Sequence, residues 1–322
     1  MMDDRPVKVS VIVLTYNHEK YIRQALDSIL MQKVNFRYEI LVGDDASTDS
    51  TAEILQEYQQ KYGDIFRLFL RPQNLGATRN AYELLTNAQG MYLATCEGDD
   101  YWTDVHKLQR QVSFLEEHKE YIGTAHRFIV VDAEGIPKKK QTLSWVKYKK
   151  CFTMRDFEGI YLPGQPSTFV RRNIFLQPSG DFSVIYKLHP MIADRTLMLL
   201  FLSFGNFYTF ADKMSCYRQR VSDDSSLTEK LYRGNAGRVA MDYEFNDKLE
   251  QYASKLFGRQ IVFSRRRKDL FASAVFVFLK AVNNCNRKLI DTMLVESKHP
   301  LFLLLSTPYY VAKKAVLKLR EL

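Results

Sequence analysis

The sequence predicts an α/β fold with a mostly parallel central sheet, flanked by helices and followed by a helical C-terminal extension. Three observations predict it. Apolar runs at residues 9–14, 40–42, 66–70 and 91–96 read as buried strands. Each run ends in a polar loop, and the passages between them carry apolar residues at helical spacing. The resulting alternation of strand, loop and helix builds parallel βαβ units, whose strand ends converge on one crevice.

The first strand-like run, Val9 to Leu14, is apolar on both parities, which suits a central strand covered on both faces. It stops at Thr15, Tyr16, Asn17 and His18, and from Lys20 the residues Tyr21, Ile22, Ala25, Leu26, Ile29 and Leu30 recur at the spacing of a helix. In an open α/β sheet ligands bind beyond the carboxyl ends of the strands, which is where Thr15 to His18 would lie. The second run, "YEILVGDDAST", puts Asp44, Asp45 and Asp49 at a strand end and a helix entry. Ser47, Thr48 or Asp49 could cap the helix through Ala52, Ile54, Leu55 and Tyr58, and capping explains one of these carboxylates rather than three. Phe66 to Leu70 leads into "RPQNLGATRNAYELL", a third loop-to-helix passage.

The fourth, "GMYLATCEGDDYW", places Glu97, Asp99 and Asp100 at a strand end, where carboxylates this close repel one another unless a cation is present. A hard divalent ion such as Mn2+ or Mg2+ accepts one or two carboxylates plus phosphate oxygens, so a nucleoside diphosphate is its natural companion. An isolated EGDD is otherwise a solvated turn; its place after a strand and before Tyr101 and Trp102 favours the metal reading.

Composition and charge bound the alternatives. At 322 residues and 46% hydrophobic, the chain can bury a large core and is not disordered. Its four cysteines are far apart with no CxxC pair, which points away from a zinc site or a disulfide scaffold and towards a reducing, cytoplasmic setting. MMDDRPVKVS lacks the pattern of a signal peptide, and the longest greasy stretch, Leu197 to Phe210, is too short to span a bilayer. The polar stretch "SDDSSLTEK" marks a boundary near Ser225, dividing residues 1–225 from a basic helical segment at 226–322. That segment carries much of the net charge of +9. It suits peripheral contact with an anionic bilayer at the inner face of the cell membrane, ordinary packing, or a homo-oligomer contact. No nucleic acid is expected as a partner, because the basic residues come without a recognised fold or interleaved exposed aromatics.

The ordered set "SVIVLTYNHEKYIRQALDSILMQ", "EILVGDDASTDST", "NLGATRNA" and "GMYLATCEGDDYW" resembles the family 2 inverting glycosyltransferases of bacterial surface-polysaccharide type. The resemblance is close over residues 7–130 and looser to about 225. It implies the GT-A fold, with a Rossmann-like sheet, and transfer of a sugar from a nucleotide sugar, with UDP as the nucleotide, to a glycan, lipid-linked or protein-linked acceptor. It also implies that Thr15 and Asn17 border the base and ribose, that Asp45 accepts a hydrogen bond from uracil, and that Arg79 lies near the base or phosphates. Glu97, Asp99 and Asp100 match the DXD-type element, with Asp99 or Asp100 facing the metal; the usual first carboxylate is Asp, and here it is Glu97.

Inverting displacement needs a general base for the attacking hydroxyl. Asp194 opens the apolar run "DRTLMLLFLSFG" and has no acidic neighbour between Asp181 and Asp212. The resembling family commonly has Glu-Asp at this position, where this chain has Ala193-Asp194. A helix-opening charge is the structural alternative. "LPGQPSTFVRRNIF" resembles the acceptor-side strand, so Gln165, Pro166 and Ser167 are expected at the acceptor pocket, with Arg171 and Arg172 as surface charges. Of the cations in "SCYRQR", Arg220 is preferred over Arg218 for the diphosphate. Two other classes stay open. A nucleotidyltransferase would want a Gly-rich phosphate loop, which LTYNHEK lacks, and a non-catalytic nucleotide-sugar binding module would not need Asp45, Asp99, Asp100 and Asp194.

Overall fold

The computed structural model describes residues 6–177, 181–189, 192–219, 235–280, 284–295, 297 and 300–319. The chain forms two compact units, residues 1–157 with 161–225, and 158–160 with 226–322. The boundary expected near Ser225 lies outside the described residues.

In the first unit the four expected strands form as β1 (Val9–Thr15), β2 (Tyr38–Asp44), β3 (Phe66–Leu70) and β4 (Tyr92–Glu97). They are parallel, in the order β3-β2-β1-β4. The sheet continues through strands that add antiparallel pairings, β5 (Tyr101–Trp102), β6 (Tyr121–Val131), β7 (Cys151–Phe152), β8 (Val170–Arg172) and β9 (Asn206–Arg218). β1 sits between β2 and β4, which is why it is apolar on both parities. Val9, Val11 and Val13 pack with residues of α1 (Ile22–Leu30), α2 (Thr51–Tyr62) and α4 (Lys107–Glu117). On the other parity Gly43 of β2 lies against Asn80 of α3 (Ala77–Asn87), so close that a Cβ there would fall 2.3 Å from the Asn80 amide oxygen. Each fully buried Val or Ile of β1 contributes roughly 1.5–3 kcal/mol.

Two single-turn helices, α5 (Met154–Phe157) and α6 (Val184–Lys187), precede α7 (Asp194–Leu202). The greasy stretch at 197–210 is thus divided between α7 and β9, which turn at Gly205 (φ 158°). In the second unit α8 (Asn235–Phe257), α9 (Ser264–Lys280), α10 (Asn284–Val295) and α11 (Pro300–Leu319) enclose a small core of Val239, Leu270, Phe271, Ala274, Met293 and Leu303. The basic helical extension is therefore helical, as expected. Among the described residues no helix is long and apolar enough to cross a membrane.

Two sequence expectations fail. Arg171 and Arg172 are not surface charges. Arg171 is 5% exposed, donates to Thr95 Oγ1 (2.6 Å) and lies against the rings of Phe169 and Phe201. Burial pulls its pKa down to about 10. Arg172 donates to the backbone oxygens of Tyr121, Leu115 and His118. An apolar pocket accepts guanidinium because its charge is diffuse and it is more weakly hydrated than an ammonium.

Lys107 makes the contrast. It is fully buried, with Nζ 4.1 Å from the centroid of the Trp102 ring and no hydrogen-bond partner among the described residues. Burial, opposed by Cys96 and Asp104 and reinforced by Arg171, lowers its pKa from 10.5 to about 7. Between these values the unfolded chain holds a proton that the folded chain has released, so wild-type stability rises with pH in that window. Lys107→Met removes this dependence. Its stability relative to wild type is expected to be greatest at and below pH 7 and to decline by about 1.4 kcal/mol per pH unit towards pH 10.5. Urea denaturation of both proteins across this range checks it; a pH-independent difference refutes it.

Candidate functional site

The site is built where the carboxyl ends of β1, β2 and β4 meet. The loops after β1 and β2 are laced together before any ligand arrives. Asn17 takes φ 54°, a left-handed conformation that Asn tolerates, and its amide donates to Ser47 Oγ (2.9 Å) while its side-chain oxygen accepts from Thr48 N (2.8 Å). His18 N donates to Thr51 Oγ1 (2.9 Å) and Glu19 N to Asp49 Oδ2 (3.1 Å). Thr15 O accepts from Asp45 N at 3.0 Å, and Thr15 itself is buried.

The three carboxylates after β2 all have structural partners. Asp44 accepts from the amide and hydroxyl of Ser47, and burial raises its pKa. Asp49 accepts from the amide and hydroxyl of Thr51 at the start of α2, so it is the residue that serves that helix entry. Asp45 is 5% exposed and takes Leu75 N at 2.7 Å on Oδ1 and Gly76 N at 3.0 Å on Oδ2, pinning the entry of α3. Arg79, in the first turn of α3, pairs with Glu83 (3.0 Å) and lies 4.6 Å from the Tyr186 ring centroid; its side chain is 44% exposed. Glu83 also holds Arg71 at 2.7 Å.

After β4 the acidic loop splits its carboxylates into two kinds. Asp100 is 1% exposed, and both its oxygens are engaged: Ser167 Oγ donates to Oδ2 (2.7 Å) and Arg218 N to Oδ1 (2.9 Å). Burial first, then Asp99, raises its pKa well above the usual carboxylate range. The Asp99 side chain is 18% exposed, with His18 Nε2 3.9 Å from Oδ2. Glu97 is partly exposed, and its pKa is also held well above the usual range, by burial first and then by the charges of Asp99, Asp100 and Asp194. Asp194, the first residue of α7, is the last of the charges that act on Glu97. Asp194 Oδ1 accepts from Arg195 N (2.8 Å), and its side chain is 27% exposed. Between Glu97 and Asp99, Gly98 passes so close to His18 and Thr15 that a Cβ would lie 2.7 Å from His18 Nδ1 and 2.9 Å from Thr15 Oγ1. A side chain there would push the acidic loop away from β1.

Gln165 and Ser167 are corrected by the structure. Both are fully buried, so they do not line an acceptor pocket. Gln165 Oε1 accepts from Ser167 N (2.7 Å), which aims the Ser167 hydroxyl at Asp100 while its oxygen accepts from Glu97 N (3.0 Å). Arg218 was missed as the brace of this loop. Its Nε donates to Asp99 O (2.9 Å), Nη1 to Ala133 O (2.6 Å) and Nη2 to Gln24 Oε1 (2.7 Å), and it lies 4.6 Å from the Tyr21 ring centroid. Nothing in "SCYRQR" separates this arginine from its neighbour, because its partners come from three other segments. Arg220 lies outside the described residues.

An all-oxygen donor set of Asp99 and Glu97, crowded by like charge, suits a hard divalent cation. Among the described residues no group of three or more His, Cys, Asp or Glu side chains is placed to hold a metal ion. One or two carboxylates completed by ligand oxygens is the coordination compatible with this loop.

Comparison with known proteins agrees with this arrangement. The family described as Glycosyl transferase family 2 matches residues 10–175. An uncharacterised protein of Mycobacterium tuberculosis is 43% identical over 138 residues, 42% of this chain and 40% of that protein. An uncharacterised glycosyltransferase of Nostoc sp. is 32% identical over 270 residues, 80% of each chain. The poly(ribitol-phosphate) β-N-acetylglucosaminyltransferase TarS of Staphylococcus aureus is 35% identical over 257 residues, 79% of this chain and 37% of that enzyme. The crystal structure of TarS residues 1–349 with UDP-GlcNAc superposes with a TM-score of 0.60 at 17% identity, covering 89% of this chain and 80% of that one, which shows the shared GT-A fold. The chain spans 40–51% of the length of the first curated relatives it matches. By the extent of its family match and its Nostoc relative, this chain belongs to glycosyl transferase family 2.

Proposed function

We propose that the chain is a metal-dependent inverting glycosyltransferase, moving a sugar from a UDP-linked donor to a hydroxyl of a glycan, lipid-linked or protein-linked acceptor. The observation that carries this reading is the acidic loop of Glu97 and Asp99 at the end of β4, with the charge of Asp194 felt at Glu97, in a chain of this family. The similarity to TarS, whose structure contains UDP-GlcNAc, supports the uridine nucleotide. The similarity to TarS, named for transfer to poly(ribitol-phosphate), supports a glycan-like polymer as acceptor.

Asp99, with Glu97 beside it, would hold Mn2+ or Mg2+. Such an ion, when bound, offsets the negative charge that develops on the departing diphosphate. The chain's own residues do the rest. Asp194 takes the proton from the attacking hydroxyl on Oδ2, since Oδ1 is held by the Arg195 amide. Attack from the side opposite the leaving group in a single displacement inverts the anomeric centre. Thr15, Asn17 and Asp45 form the wall for the base and ribose. Asp45 reaches uracil only through lone pairs left over from Leu75 N and Gly76 N. Arg79 and Arg220 are the basic residues assigned to the donor phosphates.

Asp99 and Asp100 should separate experimentally. Asp99→Asn is expected to abolish the gain in UDP affinity given by Mn2+ in calorimetry, with little change in melting temperature. Asp100→Ala removes a buried acceptor of two hydrogen bonds and is expected to cost about 2–4 kcal/mol of stability. Retained metal-dependent affinity in Asp99→Asn would refute the metal assignment.

Asp194→Asn is expected to bind UDP as wild type does while transferring sugar about 100-fold more slowly or worse, the usual contribution of a general base. A screen of UDP-sugars by hydrolysis or melting provides the donor for this assay. Equal loss of UDP binding would make Asp194 structural.

Peripheral attachment to an anionic membrane surface would bring a lipid-linked acceptor to the enzyme. Leu304, Leu305 and Tyr309 of α11 are 49%, 73% and 68% exposed, and four basic residues follow in "KKAVLKLR". Full-length protein is expected to sediment with anionic vesicles at low salt, and the triple substitution of these three residues by Ser to reduce that several-fold. Equal sedimentation of the two proteins refutes this surface.

A further inference from the structure

The first unit carries a second charged feature that the donor site does not use. Between Glu134 and Asp156 the chain has no acidic residue but holds Lys138, Lys139, Lys140, Lys147, Lys149, Lys150 and Arg155. This segment joins β6 to β7 and is held in place along its length. Lys138 N donates to Val130 O (2.9 Å), and the Gln141 side chain both accepts from Val130 N (3.0 Å) and donates to Val130 O (2.9 Å). Further on, Lys147 N donates to Leu162 O (2.8 Å), and Lys150 O accepts from Thr209 N (2.9 Å). The rings of Trp145 and Tyr148 turn inward, 6.2 Å from Tyr217 and Phe128 respectively. With the aromatic rings used as anchors, Lys139, Lys149, Lys150 and Arg155 lie on the exposed face. Lys147 is paired with Asp156 at 2.7 Å.

The near end of this ribbon lies against the acidic loop. Arg218, which holds Asp99 O and Asp100 Oδ1, also grips Asp132 O (3.3 Å) and Ala133 O (2.6 Å) at the turn where the ribbon begins. At Gly135 (φ 87°), a Cβ would be 3.8 Å from the Tyr101 hydroxyl, just beyond Asp100. A rigid lysine track thus starts beside the proposed metal loop and runs outward. Its two ends sit apart along β6, Lys138 against Val130 and Lys150 against Thr209, which pairs with Ala125, and cations spread along a strand suit an extended polyanion, which can reach several of them, better than a single small anion. The nucleotide does not need it, because a cation-filled carboxylate loop already serves the diphosphate. The acceptor is the reactant left for it.

We propose that the acceptor is a polyanionic glycan, a polymer bearing phosphodiester or carboxylate groups, and that residues 138–150 guide it to the Asp99 loop. The proposal rests on the glycosyltransferase reading above, and its test separates the two. Full-length wild type and a variant carrying Lys139→Glu, Lys149→Glu, Lys150→Glu and Arg155→Glu are titrated with fluorescent poly(glycerol phosphate), polygalacturonate and neutral dextran. UDP with Mn2+ and anionic vesicles are the other two probes. Wild type is expected to bind both polyanions but not dextran, with affinity falling as salt rises. The variant is expected to bind the polyanions at least 10-fold more weakly, with its melting temperature and UDP affinity unchanged. Polyanion binding that is absent from wild type or equal in both proteins overturns the proposal. So does a variant that loses binding to vesicles alone, which would assign the track to a lipid surface. Failure of wild type to bind UDP with Mn2+ counts instead against the donor site, whatever the polymers do.

Discussion

The buried carboxylate of Asp100 is the constraint on which the acidic loop depends. A carboxyl group that is 1% exposed is stable only if its oxygens are satisfied, and here the partners are a hydroxyl 67 positions away and a backbone amide 118 positions away. Each partner is fixed by something else: Ser167 by Gln165, and Arg218 by ladder pairing in β9 and by three carbonyls and an amide oxygen. One carboxylate thereby ties β4, β8 and β9 into a single frame. Asp99, its neighbour, is then presented on a loop whose backbone cannot drift. Two adjacent aspartates of identical chemistry do different work because one faces the protein and the other faces the crevice.

The same economy of acceptors governs the other loops. Asp44, Asp45 and Asp49 lie within six residues, and each gathers amide or hydroxyl donors from a different neighbour. The polar ends of the strands are therefore a cross-linked rim rather than a set of loose side chains awaiting ligand. Pre-organisation of this kind lowers the entropic cost of binding, since the wall is already in place. It also narrows what each residue can offer: an oxygen that already accepts from an amide has one remaining direction for a ligand.

Much of the frame was legible in the sequence, because apolar periodicity reports directly on which residues must leave water. Val9–Thr15, Tyr38–Asp44, Phe66–Leu70 and Tyr92–Glu97 could be placed from that pattern alone, as could the helix through Ile22 and Leu26. The start of α7 at Asp194 was visible for the same reason. Burial of polar groups was not legible. Arg171 and Arg172 read as surface charges, and Ser167 as a pocket residue, since nothing local marks a polar residue whose partner is contributed by a distant strand. The distinction between Asp99 and Asp100 was hidden likewise. Adjacent residues at a strand end point to opposite sides, yet which side is the crevice depends on β8 and β9, more than 65 residues downstream.

Charge is sorted in space in a way that net charge conceals. The chain carries +9 overall, yet Glu97, Asp99 and Asp100 follow one another where β4 ends, and burial first, then the charges of Asp99, Asp100 and Asp194, hold Glu97 well above the usual carboxylate range. Such a concentration is unfavourable in isolation, and a divalent cation relieves it by lying between the carboxylates and the phosphates and attracting both. The lysine track beside it has the opposite sign and, through the Arg218 brace, a fixed relation to the same loop. Under this reading the two reactants are recognised by opposite fields, the donor through a cation held by carboxylates and the acceptor through lysines.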